Sequence, residues 1–206
     1  MLKVGLTGGI AVGKSTVSQT LTGLGCYVLD ADQVARLVVE PHKQGYEKIV
    51  AEFGLEVLAS DGRLDRVKLG QIVFNDESQR KKLNQILHPI IIEEQEQLFA
   101  EFEAKSPNSI GIIDASLMIE TGSYKRFEKI VVVHCSKEIQ LSRLMARNQY
   151  SLQEAEARIA SQMPNSEKLK YADFVIDTNG TIGETKKQTV KVFHSLKQLA
   201  DSKPTM

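Results

Sequence analysis

A glycine-rich octapeptide near the start of the chain constrains the fold more than any other feature. Residues 8–15, Gly-Gly-Ile-Ala-Val-Gly-Lys-Ser, match the pattern G-x-x-x-x-G-K-[ST] and follow a short apolar run at residues 3–7. Val17, Leu21 and Leu24 then recur at helical spacing. A strand, a glycine-rich loop and a helix in this order form the context in which the pattern binds phosphate. We therefore predict a polyphosphate site at this loop.

The residue types in the loop suit the phosphates of a nucleotide. Backbone N–H groups can wrap a polyphosphate, glycines allow it to approach closely, and the N-terminus of the following helix adds a favourable dipole. Lys14 is placed to reach the β- and γ-phosphates, and the Ser15 hydroxyl to hold Mg²⁺. A nucleotide and Mg²⁺ are the expected ligands.

The remainder of the chain alternates short apolar runs with helical patterns. The strand-like runs occupy residues 3–7, 27–30, 110–114, 129–134 and 174–177. This alternation favours an α/β fold with a parallel five-stranded sheet flanked by helices, and the glycine-rich loop makes the P-loop NTPase type the expected one. Ligands bind beyond the carboxyl ends of such strands, so the site is expected at that edge.

Aspartates stand at or just beyond the ends of these runs. Asp30 and Asp32 point to the same face of an extended chain, so one can orient Mg²⁺ through water while the other accepts a proton. Asp32 can instead cap the next helix. Asp114 ends the third run, where P-loop proteins keep the carboxylate that holds the metal, or it is a simple turn residue.

Two segments interrupt the alternation of strands and helices. Between about residues 34 and 105 the patterns are helical, and because proline suits a first helical turn we predict a fresh helix from Pro89. Residues 138–171 contain a capping-box pattern that begins at Ser151. We interpret the first segment as a helical insertion and the second as a mobile helical flap.

Arginines in the second interruption are candidates for contact with phosphate. Arg143 and Arg147 stand four residues apart and so share a helix face, and no acidic residue occurs between Glu138 and Glu154. Arginines that fold over a nucleotide stabilise charge on the transferring phosphoryl group and exclude water. We predict this role for Arg143 and Arg147, whereas Arg158 either shares it or pairs with Glu154.

Three other polar residues have two interpretations each. His88 either contacts a substrate phosphate or is a structural turn residue. Lys168 and Lys170 either form a charged surface or reach phosphate from the flap. Sequence alone leaves these alternatives open.

Composition and charge exclude several classes of protein. Lys plus Arg number 26 and Asp plus Glu number 26, so no whole-protein field holds the chain to nucleic acid or to an anionic membrane. Cys26 and Cys135 form no C-x-x-C pair, which indicates a reduced compartment and argues against a zinc site. We find neither a signal-peptide pattern nor an apolar run of about 18 residues, and we expect a cytoplasmic protein with no membrane or nucleic-acid partner.

Together the motifs resemble the dephospho-coenzyme A kinase family over nearly the whole chain. The likeness lies in residues 5–10, 30–32, 64–66, 87–89, 140–147, 162–164 and 168–173. It implies transfer of the γ-phosphoryl group of ATP, with Mg²⁺, to the ribose 3′-hydroxyl of dephospho-coenzyme A, the last step of coenzyme A synthesis. It also implies a nucleotide-binding core at 1–33, 106–139 and 171–206, a helical substrate domain at 34–105 and a lid at 140–170.

The resemblance implies a role for each site residue. Asp32 would accept or orient the hydroxyl proton, with Lys14 and Arg143 as its catalytic companions. Metal binding would fall to Ser15, Asp30 and Asp114. Nucleotide binding would fall to Gly8, Gly9, Ala11, Val12, Gly13, Lys14, Ser15, Thr16, Arg143, Arg147 and Asn179.

Three positions depart from the family pattern. Ala11-Val12 replaces a smaller pair, Ser116 replaces a proline and Thr178 replaces an asparagine. We expect Val12 to crowd the loop slightly and Ser116 to loosen a turn beside the acceptor.

Two other functions are weighed against this one. The phosphate loop does not identify the acceptor, so a kinase for another small hydroxylated or nucleotide acceptor is the alternative. A guanine-specific switch would carry an N-K-x-D element, but residues 179–182 read Asn-Gly-Thr-Ile.

Overall fold

The computed structural model describes residues 1–203, including all their side chains except that of Asn75. The chain divides into two compact units. The first consists of Met1–Asp30 together with the chain from Phe102 onward, and the second is Ala31–Glu101. Residues 204–206, the end of the predicted core segment 171–206, lie outside the described residues.

The first unit is built on a parallel sheet. Its five strands among the described residues are β1 (Leu2–Thr7), β2 (Tyr27–Asp30), β3 (Ile110–Asp114), β4 (Lys129–His134) and β5 (Phe174–Asp177). Their spatial order is β2-β3-β1-β4-β5, and every neighbouring pair is parallel. The predicted fold class is therefore confirmed, with β1 starting one residue earlier than expected.

Helices account for most of the remaining chain. In chain order they are α1 (Lys14–Gly23), α2 (Ala31–Leu37), α3 (Gln44–Phe53), α4 (Arg66–Asn75), α5 (Glu77–Lys105), α6 (Lys137–Asn148), α7 (Leu152–Ala160), α8 (Asn165–Lys168) and α9 (Ile182–Asp201). Short 3-10 turns lie at Leu55–Val57, Ser123–Arg126 and Leu169–Tyr171. No helix within residues 1–203 has the length and apolar character needed to cross a membrane.

Strand order explains which strands are apolar throughout. All five residues of β3 are buried, as are the four central residues of β4, because a strand inside a parallel sheet is covered on both faces. The edge strands β2 and β5 are more accessible. Side chains of α1 and α9, including Leu21 and Leu196, complete the core around Val4 and Ile112. Burying each such side chain stabilises the fold by about 1.5–3 kcal/mol.

The second unit has a core of its own. Ile49, Phe53, Val57 and Leu69 are buried together, with apolar side chains of α5 packed against them. Asp65 begins α4 as its N-cap, since its carboxylate accepts hydrogen bonds from two backbone N–H groups in the first turn.

The expected start of a helix at Pro89 is wrong. Helix α5 runs without a break from Glu77 to Lys105, with Pro89 inside it. A proline in a helix interior removes one hydrogen bond and costs about 3 kcal/mol. Pro89 is exposed, whereas Ile90 and Phe99 of the same helix are buried, and their burial offsets that cost. His88 is consequently a helical residue and not part of a turn.

The capping box expected at Ser151 is confirmed. The Ser151 hydroxyl accepts a hydrogen bond from the backbone N–H of Glu154, and the Glu154 carboxylate accepts one from the backbone N–H of Ser151. The same reciprocal arrangement at Thr181 and Glu184 begins α9. Each box satisfies N–H groups that a helix start leaves without partners.

Candidate active site

The glycine-rich loop joins the carboxyl end of β1 to the start of α1. Gly13 lies in the left-handed region at φ 90° and is the N-cap of α1 with no side-chain cap, which leaves N–H groups of the first turn available to an anion. A Cβ on Gly8 would lie 2.4 Å from the carbonyl oxygen of Val133. Gly8 is therefore required by packing against β4, so the sheet constrains the shape of the loop.

Backbone strain in the loop falls on Ala11. Its φ is 58°, a left-handed conformation that costs a residue with a Cβ roughly 1–2 kcal/mol. The side chain of Val12 is fully buried in the core of the first unit. The pair that departs from the family pattern thus places its strain at Ala11 and directs Val12 inward.

A cavity of about 700 Å³ opens above the loop. Its lining includes eight predicted site residues: Gly9, Ala11, Val12, Gly13, Lys14, Ser15, Arg143 and Arg147. Ile10, Ser116 and Ala146 complete it. The structure thus brings the glycine-rich loop and both flap arginines to one concave surface.

Lys14 and Asp114 meet at the carboxyl edge of the sheet. Lys14 Nζ donates to Asp114 Oδ1 and forms an ion pair with it. Asp30 lies directly opposite Asp114 in the register of β2 and β3. Two of the predicted metal ligands therefore end adjacent strands, next to the lysine that begins α1.

The pKa of Asp114 is raised above its ordinary value. Burial of the carboxyl group is the largest cause, and the neighbouring charge of Asp30 adds to it, while Lys14 and Ser18 oppose the shift. Burial disfavours the charged form of an acid. The charged carboxylate therefore depends on its cationic partner Lys14.

Arg143 is held in position by Thr178. Its guanidinium donates to Thr178 Oγ1 at 3.0 Å and to the Thr178 carbonyl oxygen at 2.7 Å. The Thr178 hydroxyl in turn donates to the carbonyl oxygen of Val12 at 2.6 Å, and Thr178 is 2% exposed. These acceptors are neutral, so the bonds orient the guanidinium without cancelling its charge.

Arg147, Arg158 and Asn179 make contacts of other kinds than Arg143 does. Arg147 is exposed and donates to Asn148 Oδ1. Arg158 lies over the ring of Tyr150, 4.4 Å from its centroid. Asn179 accepts a hydrogen bond from the backbone N–H of Ser136 at 2.7 Å, and so connects the end of β5 to the start of α6. Gly8, Thr16 and Asn179 are outside the described lining of the cavity.

Lys168 is neither on the charged surface nor directed at the loop. Its side chain is fully buried, and Nζ donates at 2.7 Å to both the Ser116 carbonyl oxygen and Glu120 Oε1. A buried ammonium requires such partners, since desolvation costs several kcal/mol per ion. Thr7 also donates to the Ser116 carbonyl oxygen, so backbone contacts hold the turn that Ser116 was expected to loosen. Lys170 is exposed and pairs with Glu167.

Asp32 and His88 belong to the second unit. Asp32 is exposed in the first turn of α2, which begins at Ala31. It follows the first helical residue and so does not act as the N-cap. His88 is exposed within α5.

The oxygen donors at the edge of the sheet suit Mg²⁺. Ser15 offers a hydroxyl at the start of α1, and Asp30 and Asp114 offer carboxylates. Mg²⁺ prefers oxygen ligands and commonly takes one or two carboxylates together with substrate phosphates. Within the described residues no cluster of three His, Cys, Asp or Glu side chains could hold a metal by itself.

Sequence reasoning missed Gln140 and Gln162 and did not predict the roles of Thr178 and Lys168 in holding the site together. Gln140 and Gln162 bind the backbone of Ile10, Thr178 binds Arg143, and Lys168 binds Ser116. Gln140, Gln162 and Lys168 all lie in segments that carried the family resemblance. Their place in those segments was the available signal. The contacts themselves join residues far apart in sequence, so no local pattern predicted them.

Known proteins resemble this chain along almost its full length. The profile of the family described as dephospho-CoA kinase matches residues 2–184. A dephospho-CoA kinase of Geobacillus kaustophilus is 47% identical over 193 residues, which cover 93% of this chain and 94% of the relative. One from Bacillus cereus is 49% identical over 185 residues, covering 90% and 92%.

A solved structure agrees with the sequence relatives. The dephospho-CoA kinase from Campylobacter jejuni superposes with a TM-score of 0.72 at 31% identity, covering 95% of this chain and 97% of that one. Sequence, fold and phosphate loop thus point to one conclusion. The chain belongs to the dephospho-CoA kinase family.

Proposed function

We propose that this enzyme transfers the γ-phosphoryl group of ATP to the ribose 3′-hydroxyl of dephospho-coenzyme A, with the triphosphate held in the cavity above the glycine-rich loop. As a dephospho-CoA kinase it acts at the last step of coenzyme A biosynthesis. The observation that carries the proposal is the convergence of Lys14, Ser15, Arg143 and Arg147 on that cavity. Phosphoryl transfer needs positioning and charge stabilisation more than covalent chemistry, and this convergence provides both.

Lys14 and the two arginines provide positive charge for the reaction. Lys14 binds the β- and γ-phosphates, which requires it to exchange Asp114 for phosphate oxygens. Arg143 is oriented beforehand by Thr178 and needs little reorganisation to meet the transferring group. Such preorganised charge stabilises a transition state more than mobile charge does. Arg147, being exposed, contributes once the nucleotide is bound.

Asp32 serves the acceptor. Its carboxylate accepts or orients the proton of the 3′-hydroxyl, a role that requires an accessible group. Asp32 is exposed at the start of a helix, which fits that requirement.

Ser15, Asp30 and Asp114 hold Mg²⁺. When bound, the metal neutralises charge on the β- and γ-phosphates. As Lys14 turns to phosphate, Asp114 is left as a buried carboxylate that requires another cation. Burial raises the pKa of Asp114 and disfavours its charged form, so a bound cation would stabilise the carboxylate there.

We assign separate tasks to the parts of the chain. The core at 1–33, 106–139 and 171–206 binds nucleotide, the segment 34–105 binds the coenzyme A moiety, and 140–170 is the lid. Residues 31–101 forming a compact unit with their own core support a distinct substrate domain. Hydrogen bonds from Gln140 and Lys168 to other parts of the first unit restrict lid movement to the portion between them.

We place the reaction in the cytoplasm. Cys26 and Cys135 are buried free thiols, and burial raises the pKa of Cys26 to about 12. Free thiols are typical of a reducing compartment.

An acceptor panel tests the proposal. ADP release is measured with ATP, Mg²⁺ and either dephospho-coenzyme A or nucleoside monophosphates, and the phosphorylated position is assigned by phosphorus NMR. We expect kcat/KM for dephospho-coenzyme A to exceed that for the other acceptors by at least about a hundredfold. Comparable turnover of another acceptor, or phosphate at another hydroxyl, would contradict the proposal.

A further inference from the structure

Three side-chain amides surround one residue of the glycine-rich loop. Gln162 Oε1 accepts a hydrogen bond from the backbone N–H of Ile10 at 2.8 Å, and Gln140 Nε2 donates to the Ile10 carbonyl oxygen at 2.8 Å. Asn165 Nδ2 donates to Gln140 Oε1 at 3.3 Å. We call Gln140, Gln162 and Asn165 the amide cluster. It binds both backbone polar atoms of Ile10.

The orientation of Gln140 is determined by these contacts. Gln140 is only 4% exposed, and its amide uses the nitrogen toward Ile10 and the oxygen toward Asn165. A reversed amide would set oxygen against the Ile10 carbonyl oxygen, and a buried polar group without a hydrogen bond is costly. Gln140 is therefore a dedicated donor to the loop.

The bond to the Ile10 carbonyl also orients the next residue. A peptide unit is planar and trans, so the C=O of Ile10 and the N–H of Ala11 point in opposite directions. Fixing the carbonyl toward Gln140 fixes the N–H of Ala11 away from it. Ala11 lines the cavity and, unlike the left-handed Gly13, carries a Cβ at its left-handed φ of 58°.

We propose that Gln140 and Gln162 are positioning residues for the nucleotide, which hold Ile10 so that the loop keeps the left-handed conformation at Ala11 before ATP arrives. The inference rests on the proposed nucleotide site. Neither glutamine needs to touch phosphate, since each acts through the loop backbone. A preformed loop binds its ligand more tightly because less ordering accompanies binding.

A matched pair of variants separates this role from a simple charge effect. Gln140→Glu and Gln162→Glu each add one negative charge beside the loop. Glutamate at 162 still accepts from the N–H of Ile10, whereas glutamate at 140 replaces a donor with an acceptor facing a carbonyl oxygen. By calorimetry we expect Gln140→Glu to weaken ATP affinity at least about tenfold more than Gln162→Glu. Equal losses would overturn the inference.

A double-mutant cycle tests the connection to Ala11. Glycine adopts the left-handed conformation without a steric penalty, so Ala11→Gly should reduce the dependence on Gln140. We expect Gln140→Met to weaken ATP affinity about tenfold in the natural background and about threefold or less beside Ala11→Gly. The same loss in both backgrounds would show that Gln140 only packs against the loop and would overturn the inference.

Kinetics keeps the test decisive if a Gln140 variant does not fold. Gln162→Met removes one acceptor at a half-buried position, and it should raise the KM for ATP while leaving the KM for dephospho-coenzyme A unchanged. No change in either KM, or equal changes in both, would overturn the inference. Natural protein that binds no ATP would overturn the proposed nucleotide site as well, whereas normal binding with equal losses would overturn this inference alone.

Discussion

Candidate site residues of the two compact units differ in burial, and the difference concerns Lys14, Arg143 and Thr178 against Asp32 and His88. In the first unit, Lys14, Arg143 and Thr178 are partly or wholly buried. Lys14 is hydrogen-bonded to Asp114, Arg143 to Thr178, and Thr178 to the carbonyl oxygen of Val12. In the second unit, Asp32 and His88 are exposed on helices. Burial allows groups to be oriented before a ligand arrives, while exposure leaves them accessible to one.

Exposed apolar side chains occur at the surface of both units, with Ile182 at 66% and Leu152 at 53% in the first. The sheet of the first unit is almost entirely buried in its central strands. In the second unit, Leu55, Val67 and Phe74 are 73%, 70% and 83% exposed. The units therefore differ in the central strands that support the glycine-rich loop, which are buried, and in Asp32 and His88, which are exposed.

The largest expected effect is on turnover and ATP binding, and it comes from a residue of the first unit. Lys14→Ala should reduce turnover about 10²–10³-fold and weaken ATP binding, because it deletes a charge aimed at the β- and γ-phosphates. Lys197→Ala is a matched control, since Lys197 is exposed and pairs with Asp201 on α9. ATP affinity by calorimetry and turnover are measured together. Natural values for Lys14→Ala would refute this cavity as the nucleotide site.

The next largest effect is on turnover, and it comes from Asp32 in the second unit. Asp32→Asn should lower turnover at least about a hundredfold, the lower range for a positioned acid or base, with ATP affinity unchanged. Its stability should fall by no more than about 1 kcal/mol, the contribution of an acidic residue in a first helical turn. Asp61→Asn, on an exposed turn of the same unit, is the control.

The Asp32 experiment has a companion at Asp30. Asp30→Asn should lose activity that higher Mg²⁺ concentration partly restores, if Asp30 orients a metal-bound water. Near-normal turnover of Asp32→Asn would transfer the proton-accepting role to Asp30 or Asp114.

A smaller effect concerns the lid, which contains both buried and exposed polar residues. We expect ATP and dephospho-coenzyme A together to slow amide hydrogen exchange about tenfold within residues 147–160, because arginines there gain a phosphate partner. Residues near Gln140 and Lys168 should change little, since they are already bonded. Equal exchange with and without ligands would identify 140–170 as a fixed wall of the site.

The smallest effect is on pH dependence and arises from Asp114. Its folded pKa is raised, so its contribution to stability is fully present below the unfolded pKa and is lost as pH rises through the folded value. Urea unfolding without ligands should therefore show natural protein losing stability relative to Asp114→Asn as pH rises through that value. The opposite trend would mean that the Lys14 pair outweighs burial.

Local sequence signals predicted the elements correctly where one short segment contained the whole cause. The five strands, the glycine-rich loop and the capping box at Ser151 all depend on neighbours within a few residues. The predicted helix start at Pro89 was wrong because its cause was not local. The local preference of Pro89 for a first turn is overridden by burial of Ile90 and Phe99 in the same helix α5.

The candidate site divides along the same line. Lys14, Ser15 and both arginines were found from spacing and charge, and they line one cavity. Lys168 was assigned to the surface or to phosphate because a lysine in a charged run is usually exposed, yet it is buried against Glu120. The partner is 48 residues away, beyond the reach of any local pattern.

By itself the sequence determined the strand–loop–helix unit, the parallel sheet and the family, because periodicity, glycine placement and motif combination are properties of short segments. Tertiary structure alone decided that Thr178 orients Arg143, that Lys168 is buried and that Gln140 and Gln162 bind Ile10. A hydrogen bond requires a donor–acceptor distance within a few tenths of an ångström of its optimum and a nearly linear direction. Only the packed sheet and its helices bring residues so far apart in the chain to that distance.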